Sequence, residues 1–205
     1  MHMPDRRSCL RYGLLVVGFG LPVDATAQQG PARLRGTIAG LQVDVLTVAL
    51  RGGGEARVTL AEPLTVAALR RVALAEIVVG TALGVVAVPD TDGALKAVAI
   101  TVLPPGARIT ELQSPWDLGP ETSMNNGPVT ATVDKGGIGE LTLSILGKAV
   151  LVRVPPDAPL LMPIPATRAD LKPGAAVFIN ATRGADGALS ATRVVVGKDG
   201  VSPAI

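Results

Sequence analysis

The chain has 205 residues, of which 48% are hydrophobic and only 2% aromatic, and its 19 basic and 17 acidic residues give a net charge of +2. This balance excludes the strongly basic surface that neutralises nucleic-acid phosphates, and the scarcity of aromatics excludes stacking platforms for single strands. A chain of this length can bury one sizeable core or two small ones.

The first residues have the pattern of an export signal. Three arginines precede an apolar run over residues 12–23, and an A-x-A cleavage motif follows. The run is shorter than the roughly 20 residues that span a bilayer. We therefore predict a signal peptide over residues 1–27, cut between Ala27 and Gln28, and a periplasmic protein; the alternative is a retained anchor.

Cleavage there would remove the only histidine, cysteine and tyrosine, and it would leave Trp116 and Phe178 as the only aromatic residues. Three basic and two acidic residues lie in the signal, so 16 basic and 15 acidic residues remain. Without histidine or cysteine, the exported chain has no Ser-His-Asp or Cys-His nucleophile, no Cys/His zinc site and no disulfide. We predict that the protein is not an enzyme and carries no cofactor.

An internal repeat organises the remaining chain. Residues 73–102 align with residues 167–196 at a constant offset of 94, without a gap and with ten of thirty positions identical. Self-similarity of this kind indicates duplicated modules. We predict a first module over residues 31–104, a second over residues 128–200, and a Pro/Gly/Asn-rich joint over residues 105–127.

Each module begins with alternating apolar segments of strand length, which in the first are RLRGTIAGL, DVLTVAL and ARVTLAE. A short helix follows, VALAEI or TRADLK, and it ends at Gly80 or Gly174. Two further strands close each module, with an Asp-Gly turn between them at Asp92-Gly93 and Asp186-Gly187. This order predicts an all-β protein of two tandem OB-like five-stranded barrels, each with one short helix.

Residues 72–88 are nearly all apolar, so a membrane helix is the rival interpretation of that segment. The aligned segment of the second module contains Arg168, Asp170, Lys172 and Pro173, which could not lie in lipid. Because aligned segments should share a fold, we predict no stable membrane span after signal cleavage.

The segment LKPGAAVFINATRGADGALSATRVVV resembles bacterial exported proteins that carry a small all-β domain of unknown function. Two such modules around a PWDL…SMNN joint resemble one group among them, sometimes labelled as metal-transporter permease. The resemblance implies a barrel-like fold and an envelope location, and it supplies no established activity. The permease label conflicts with the sequence, which offers no credible set of spanning helices.

The motif DTDG at residues 90–93 raises the question of calcium. An EF-hand loop that starts at Asp90 would need a polar fifth residue and a glutamate at the twelfth, and those positions hold Ala94 and Thr101. We predict a hairpin turn and no metal site. Glu76 and Asp170 match in the repeat, and we expect them to cap or solvate the short helices.

The joint contains the only tryptophan, Trp116, and it is the strongest candidate for a site, because sites often lie where modules meet. The candidate ligand- or partner-binding residues are Trp116, Asp117, Glu121, Ser123, Met124, Asn125 and Asn126. The alternative is structural: the indole packs on a barrel and pins the joint.

These observations predict a non-catalytic exported envelope protein, a binding or interaction module whose site is at the joint. Its partner would be an unknown envelope protein or a small ligand, with no role for nucleic acid. A purely structural scaffold is the first alternative. A hydrolase that uses only carboxylates is a weaker one.

Overall fold

The structure is a computed structural model that describes residues 31–135 and 138–203, so the predicted signal peptide and its cleavage site lie outside the described residues. Its regular structure is β-strand with three short 3-10 turns. The strands are β1 (Ala32–Gln42), β2 (Val45–Leu50), β3 (Glu55–Arg71), β4 (Ala82–Pro89), β5 (Leu95–Val102), β6 (Leu112–Pro115), β7 (Ser123–Lys135), β8 (Ile138–Ile145), β9 (Lys148–Val154), β10 (Leu160–Ala166), β11 (Ala176–Arg183) and β12 (Leu189–Val196). The predicted all-β class is confirmed.

Five strands close into a barrel in the order β11-β1-β2-β3-β12. Neighbouring strands are antiparallel except β3 and β12, whose parallel pairing closes the ring. Alternate residues point inward along each strand, as the pleat requires, and build an aliphatic core. Its largest fully buried side chains are Ile38, Leu46 and Ile179.

The strands β4, β7, β8, β9 and β5 pair in a second ring, which the parallel pairing of β5 with β9 closes. The core of this ring is also aliphatic, and it includes Leu83, Ile100, Leu141 and Leu143. Arg153 on β9 strengthens the closure, because its guanidinium donates to the Asp90 carboxylate at 2.9 Å across the β4–β5 turn. This contact lowers the pKa of Asp90 and raises that of Arg153.

The strand pairings do not follow the predicted contiguous modules 31–104 and 128–200. The hairpin β4–β5 belongs to the first repeat but completes the ring of β7, β8 and β9. The hairpin β11–β12 belongs to the second repeat but completes the ring of β1, β2 and β3. Each ring therefore combines three strands of one repeat with a hairpin of the other.

The length of β3 explains this exchange. β3 has 17 residues, or about 55 Å of strand, and its first part pairs with β2 while its last part, Val66–Arg71, pairs with β10. The chain is thus carried away from the first barrel before the β4–β5 hairpin begins. β10 carries it back, and it also pairs with β5. The two crossing segments run antiparallel, with Ala68 opposite Ile164.

The predicted short helices are present only as three-residue 3-10 turns, Leu74–Glu76 and Arg168–Asp170. Glu76 and Asp170 cap these turns as expected, because each carboxylate accepts the backbone N–H three residues earlier, at 2.8 and 2.9 Å. The turn at Asp92-Gly93 is also confirmed, with positive φ values of 57° and 73°.

Two further segments of the chain hold strands. Within residues 105–127, which we predicted as the joint, β6 and the start of β7 form a hairpin. Residues 72–88, for which a membrane helix was the rejected rival interpretation, hold a 3-10 turn and most of β4. Within residues 31–135 and 138–203, no helix is long and apolar enough to cross a membrane.

Close backbone approach requires glycine at matching positions of the two rings. Gly36 is the fifth residue of β1, and Gly127 is the fifth residue of β7. An added Cβ would lie 2.0 Å from the Ala49 carbonyl oxygen in the first case and 1.9 Å from the Ser144 carbonyl oxygen in the second. Any side chain would therefore force these strands apart.

Candidate functional site

The turn of the β6–β7 hairpin positions Trp116 and Asp117. The Trp116 amide donates to the Thr122 carbonyl at 2.8 Å, which extends the hairpin by one pair. The Thr122 hydroxyl lies 2.9 Å from the Trp116 carbonyl and 2.7 Å from the Gly119 carbonyl, within hydrogen-bonding distance of both. These contacts fix the turn and direct its tip towards β1 of the first barrel.

Two arginines on β1 hold the tip of this turn. Arg33 and Arg35 alternate with the inward-facing Leu34, so their side chains lie on the outer surface of the barrel. Arg35 binds the Asp117 carboxylate through two hydrogen bonds of 2.9 Å. The Arg33 guanidinium lies 3.8 Å from the centre of the Trp116 ring and 3.7 Å from the carboxylate. The Arg35 hydrogen bonds lower the pKa of Asp117.

This four-residue contact, which we call the latch (Arg33, Arg35, Trp116 and Asp117), contains two unsatisfied donors. Nε of Arg35 and Nε1 of Trp116 are buried and make no hydrogen bond with the described residues. Buried donors usually find an acceptor, and an unmade bond costs about 1–3 kcal/mol. The latch is therefore held together by the Asp117 carboxylate and by the stacking of Trp116 on Arg33. Two of its N–H groups have no acceptor among the described residues.

Asn125 belongs to a different environment, at the inner face of β7. Its side chain is fully buried, and Nδ2 lies within hydrogen-bonding distance of the Val85 carbonyl, the Ser123 carbonyl and the Ser123 hydroxyl. Its Oδ1 accepts a hydrogen bond from the Gln113 amide at 2.8 Å. This network links β4, β6 and β7, so Asn125 and Ser123 stabilise the second ring from within.

The structure thus separates the seven predicted site residues. Trp116 and Asp117 lie together in the latch, while Ser123 and Asn125 serve the buried network. Glu121 is exposed in the turn, at a positive φ of 60°, and its carboxylate makes no hydrogen bond or ion pair with the described residues. Met124 and Asn126 are half-buried and lie close to Gly84 of β4.

A cleft of about 210 Å³ lies beside the latch and is lined by strands of both rings. Its lining comes from β3, β5, β10, β11, β12 and the C-terminal segment: Leu69, Thr101, Pro163, Phe178, Asn180, Arg193, Val195 and Pro203. Phe178 joins the cleft to the latch, because its ring lies 5.0 Å from the Arg35 guanidinium. The cleft wall is mainly apolar, and the exposed Arg193 forms no ion pair with the described residues.

Sequence reasoning identified Trp116 and Asp117 but missed Arg33, Arg35 and Arg193. The Arg-Leu-Arg alternation at the start of β1 was a usable signal, because it places two cations on one face of a strand. Phe178 was also visible as the only other aromatic residue after residue 27. The turn that contacts these side chains is determined by the exchange of hairpins. The alternation of polar and apolar residues in β1 carries no information about that exchange.

Throughout residues 31–135 and 138–203, no three His, Cys, Asp or Glu side chains are grouped in a way that could hold a metal ion. Comparison of the chain with protein-family models, curated proteins and solved structures gives no significant match. The function must therefore be inferred from the latch and the cleft.

Proposed function

We propose that this chain is an exported, non-catalytic binding module of the bacterial envelope, built on two OB-like barrels that exchange hairpins. We further propose that it binds a small ligand with an apolar body and one anionic group in the cleft between the rings. The signal-like residues 1–27 support export. The strand order of each ring, with three meandering strands and an inserted hairpin, supports the OB-like assignment.

One observation carries the ligand proposal: the cleft combines a mainly apolar wall with an exposed guanidinium group. Leu69, Pro163, Phe178 and Val195 supply apolar surface, and Arg193 forms no ion pair with the described residues. Ligand sites have this character, with a mostly apolar lining and a few polar groups that fix orientation. A carboxylate on the ligand would give Arg193 the bidentate partner that its planar guanidinium favours.

The size of the cleft limits the ligand. About 210 Å³ is below the roughly 300–1,000 Å³ of sites for drug-sized molecules, so the ligand is compact. A small aromatic or branched aliphatic carboxylate fits both the volume and the charge. Phe178 is 6% exposed and offers a ring surface against which an apolar ligand can pack.

The alternative function is a structural scaffold. It is favoured by the latch, where Trp116 and Asp117 are already engaged by Arg33 and Arg35. In a scaffold the latch would only brace the β6–β7 turn against β1. The cleft would then bind no small molecule.

A ligand screen with matched arginine variants tests the proposal. Residues 28–205 are titrated with benzoate, phenylacetate and branched-chain carboxylates, and binding is measured by calorimetry. We expect saturable binding that Arg193→Gln weakens at least tenfold. Arg57→Gln is the control, because Arg57 is exposed on β3, forms no ion pair with the described residues and does not line the cleft. The absence of saturable binding, or equal loss in both variants, would support the scaffold instead.

A further inference from the structure

We propose that Arg33, Arg35 and Arg51 form a second site, specific for a phosphate monoester dianion, and that Asp117 occupies part of it in the structure. The three arginines line one open cavity of about 510 Å³, together with Asp117 and the Gly52-Gly53 turn. This cavity and the cleft have no lining residue in common. The proposal is therefore independent of the ligand proposed above.

The charges of this cavity are not balanced. Asp117 is the only acidic residue among the described residues that line it, and three arginines line it as well. Arg35 holds that carboxylate at 2.9 Å, and Arg33 lies 3.7 Å from it. Arg51 is exposed and forms no ion pair or side-chain hydrogen bond with the described residues. A net charge of about +2 therefore remains after Asp117 is counted, and a dianion would neutralise it.

The contact between Asp117 and Arg35 has the geometry that guanidinium groups use for phosphate. Two parallel hydrogen bonds join Nη1 and Nη2 of Arg35 to the two carboxylate oxygens. Asp117 is 41% exposed, and it lies in a turn rather than within a strand, so it can be displaced. We infer that this carboxylate stands in for one edge of the phosphate and competes with it.

The unused donors of this region favour an oxygen-rich ligand. Nε of Arg35 is buried without an acceptor, although the same guanidinium binds Asp117 through its other nitrogens. The Gly52 amide also makes no hydrogen bond with the described residues, and open space surrounds Gly52 and Gly53. A tetrahedral phosphate has more acceptor oxygens than a carboxylate. It can therefore satisfy donors that Asp117 leaves unmatched.

Trp116 reports on the site directly, because its ring stacks on Arg33 and it is the only indole of the chain. Displacement of Asp117 would change the contacts of the neighbouring ring. Phosphate is therefore titrated into residues 28–205 at pH 8, where it is a dianion, with chloride at matched ionic strength as the blank. Emission of Trp116 and calorimetry are recorded together.

Three variants make the outcome decisive. We expect Arg51→Gln to weaken phosphate binding at least fivefold, and Arg57→Gln, which is exposed in the same barrel but outside the cavity, to leave it unchanged. Asp117→Asn should strengthen binding at least threefold, because the competing charge is gone. Equal affinities for Arg51→Gln and Arg57→Gln would overturn the proposal. So would an Asp117→Asn protein that is folded by circular dichroism and binds no more tightly than the wild type.

Two further probes distinguish a soluble phosphate monoester from a lipid headgroup. They are glycerol 3-phosphate and vesicles of phosphatidylcholine with phosphatidic acid. Competition by glycerol 3-phosphate alone would identify a soluble monoester, and recruitment to the vesicles would identify a lipid headgroup. Arg193→Gln distinguishes this site from the cleft, since it should weaken carboxylate binding at least tenfold and leave phosphate binding unchanged. Loss of phosphate binding in Arg193→Gln would show that the two sites are not separate.

Discussion

Cutting the chain in the exposed loop between β5 and β6 should leave its two halves firmly associated. A protease site inserted after Gly106 would produce one half with β1–β5 and another with β6–β12. Each half then contributes to both rings. The second half supplies five large aliphatic side chains to the first core: Leu171, Val177, Ile179, Val194 and Val196. The first half supplies six to the second core: Val72, Ile77, Leu83, Val85, Ile100 and Val102.

These side chains set the expected affinity. Burial of each contributes about 1.5–3 kcal/mol, so the eleven together contribute about 17–33 kcal/mol. Association costs about 4–15 kcal/mol. The central values leave about 15 kcal/mol, which corresponds to a dissociation constant on the order of 10 pM.

Size-exclusion chromatography of the cut protein at micromolar concentration tests this expectation. The halves should elute together as one particle of the original size and separate only in denaturant. As a control, residues 28–104 expressed alone should be unfolded, because their β1–β3 and β4–β5 segments lack their partner strands. Two separately eluting, folded halves would show that each repeat forms its own barrel, and would refute the exchange of hairpins.

Four substitutions test the other contacts, and one of them is followed across pH. Asp170→Asn should lower the free energy of unfolding above pH 3.8, the unfolded-state pKa of Asp170. The wild type should lose this contribution as the pH falls towards the folded-state pKa of about 2. Identical free energies of urea unfolding for the wild type and the variant at every pH would contradict this. Asn125→Ala should cost about 1–3 kcal/mol in urea unfolding, because buried groups lose their partners. Gly127→Ala should cost at least ~1–3 kcal/mol, since its Cβ would strike the Ser144 carbonyl. Trp116→Ala should cost about 0.5–2 kcal/mol by the same measurement, because the half-buried ring mainly stacks on a cation; a loss of about 3–5 kcal/mol would instead indicate a fully buried anchor.

Local structure could be predicted from the sequence because it depends on short-range patterns. The segment LSATRVVV corresponds to β12 residue for residue, and LKAVAITV corresponds to β5. The positive φ of Asp92 and Gly93 follows from the tolerance of these residue types for a tight turn. Two strands were not foreseen. β6 has only four residues and lies in a segment rich in proline and glycine, while the partners of β10 lie far away in the chain, in β3 and β5.

The exchange of hairpins could not be predicted because the two hairpins are chemically alike. β4–β5 and β11–β12 have the same alternation, the same Asp-Gly turn and small aliphatic inward faces, so either could complete either ring. The choice depends on the path of β3 and β10, which is a property of the whole fold. The candidate site has the same limitation: Trp116 was visible, but its contact with Arg33 requires the β6–β7 turn to meet β1.

The insertion of the second ring into the first has a mechanical consequence. β1 and β12, the strands nearest the two ends of the described chain, both belong to the first barrel and both pair with β11. β1 begins beside Ala181 and β12 ends beside Val177, so tension applied to the ends would shear these strands along their length and stretch many hydrogen bonds at once. The second ring enters the path only through β3 and β10, so it is shielded from tension until the first barrel ruptures.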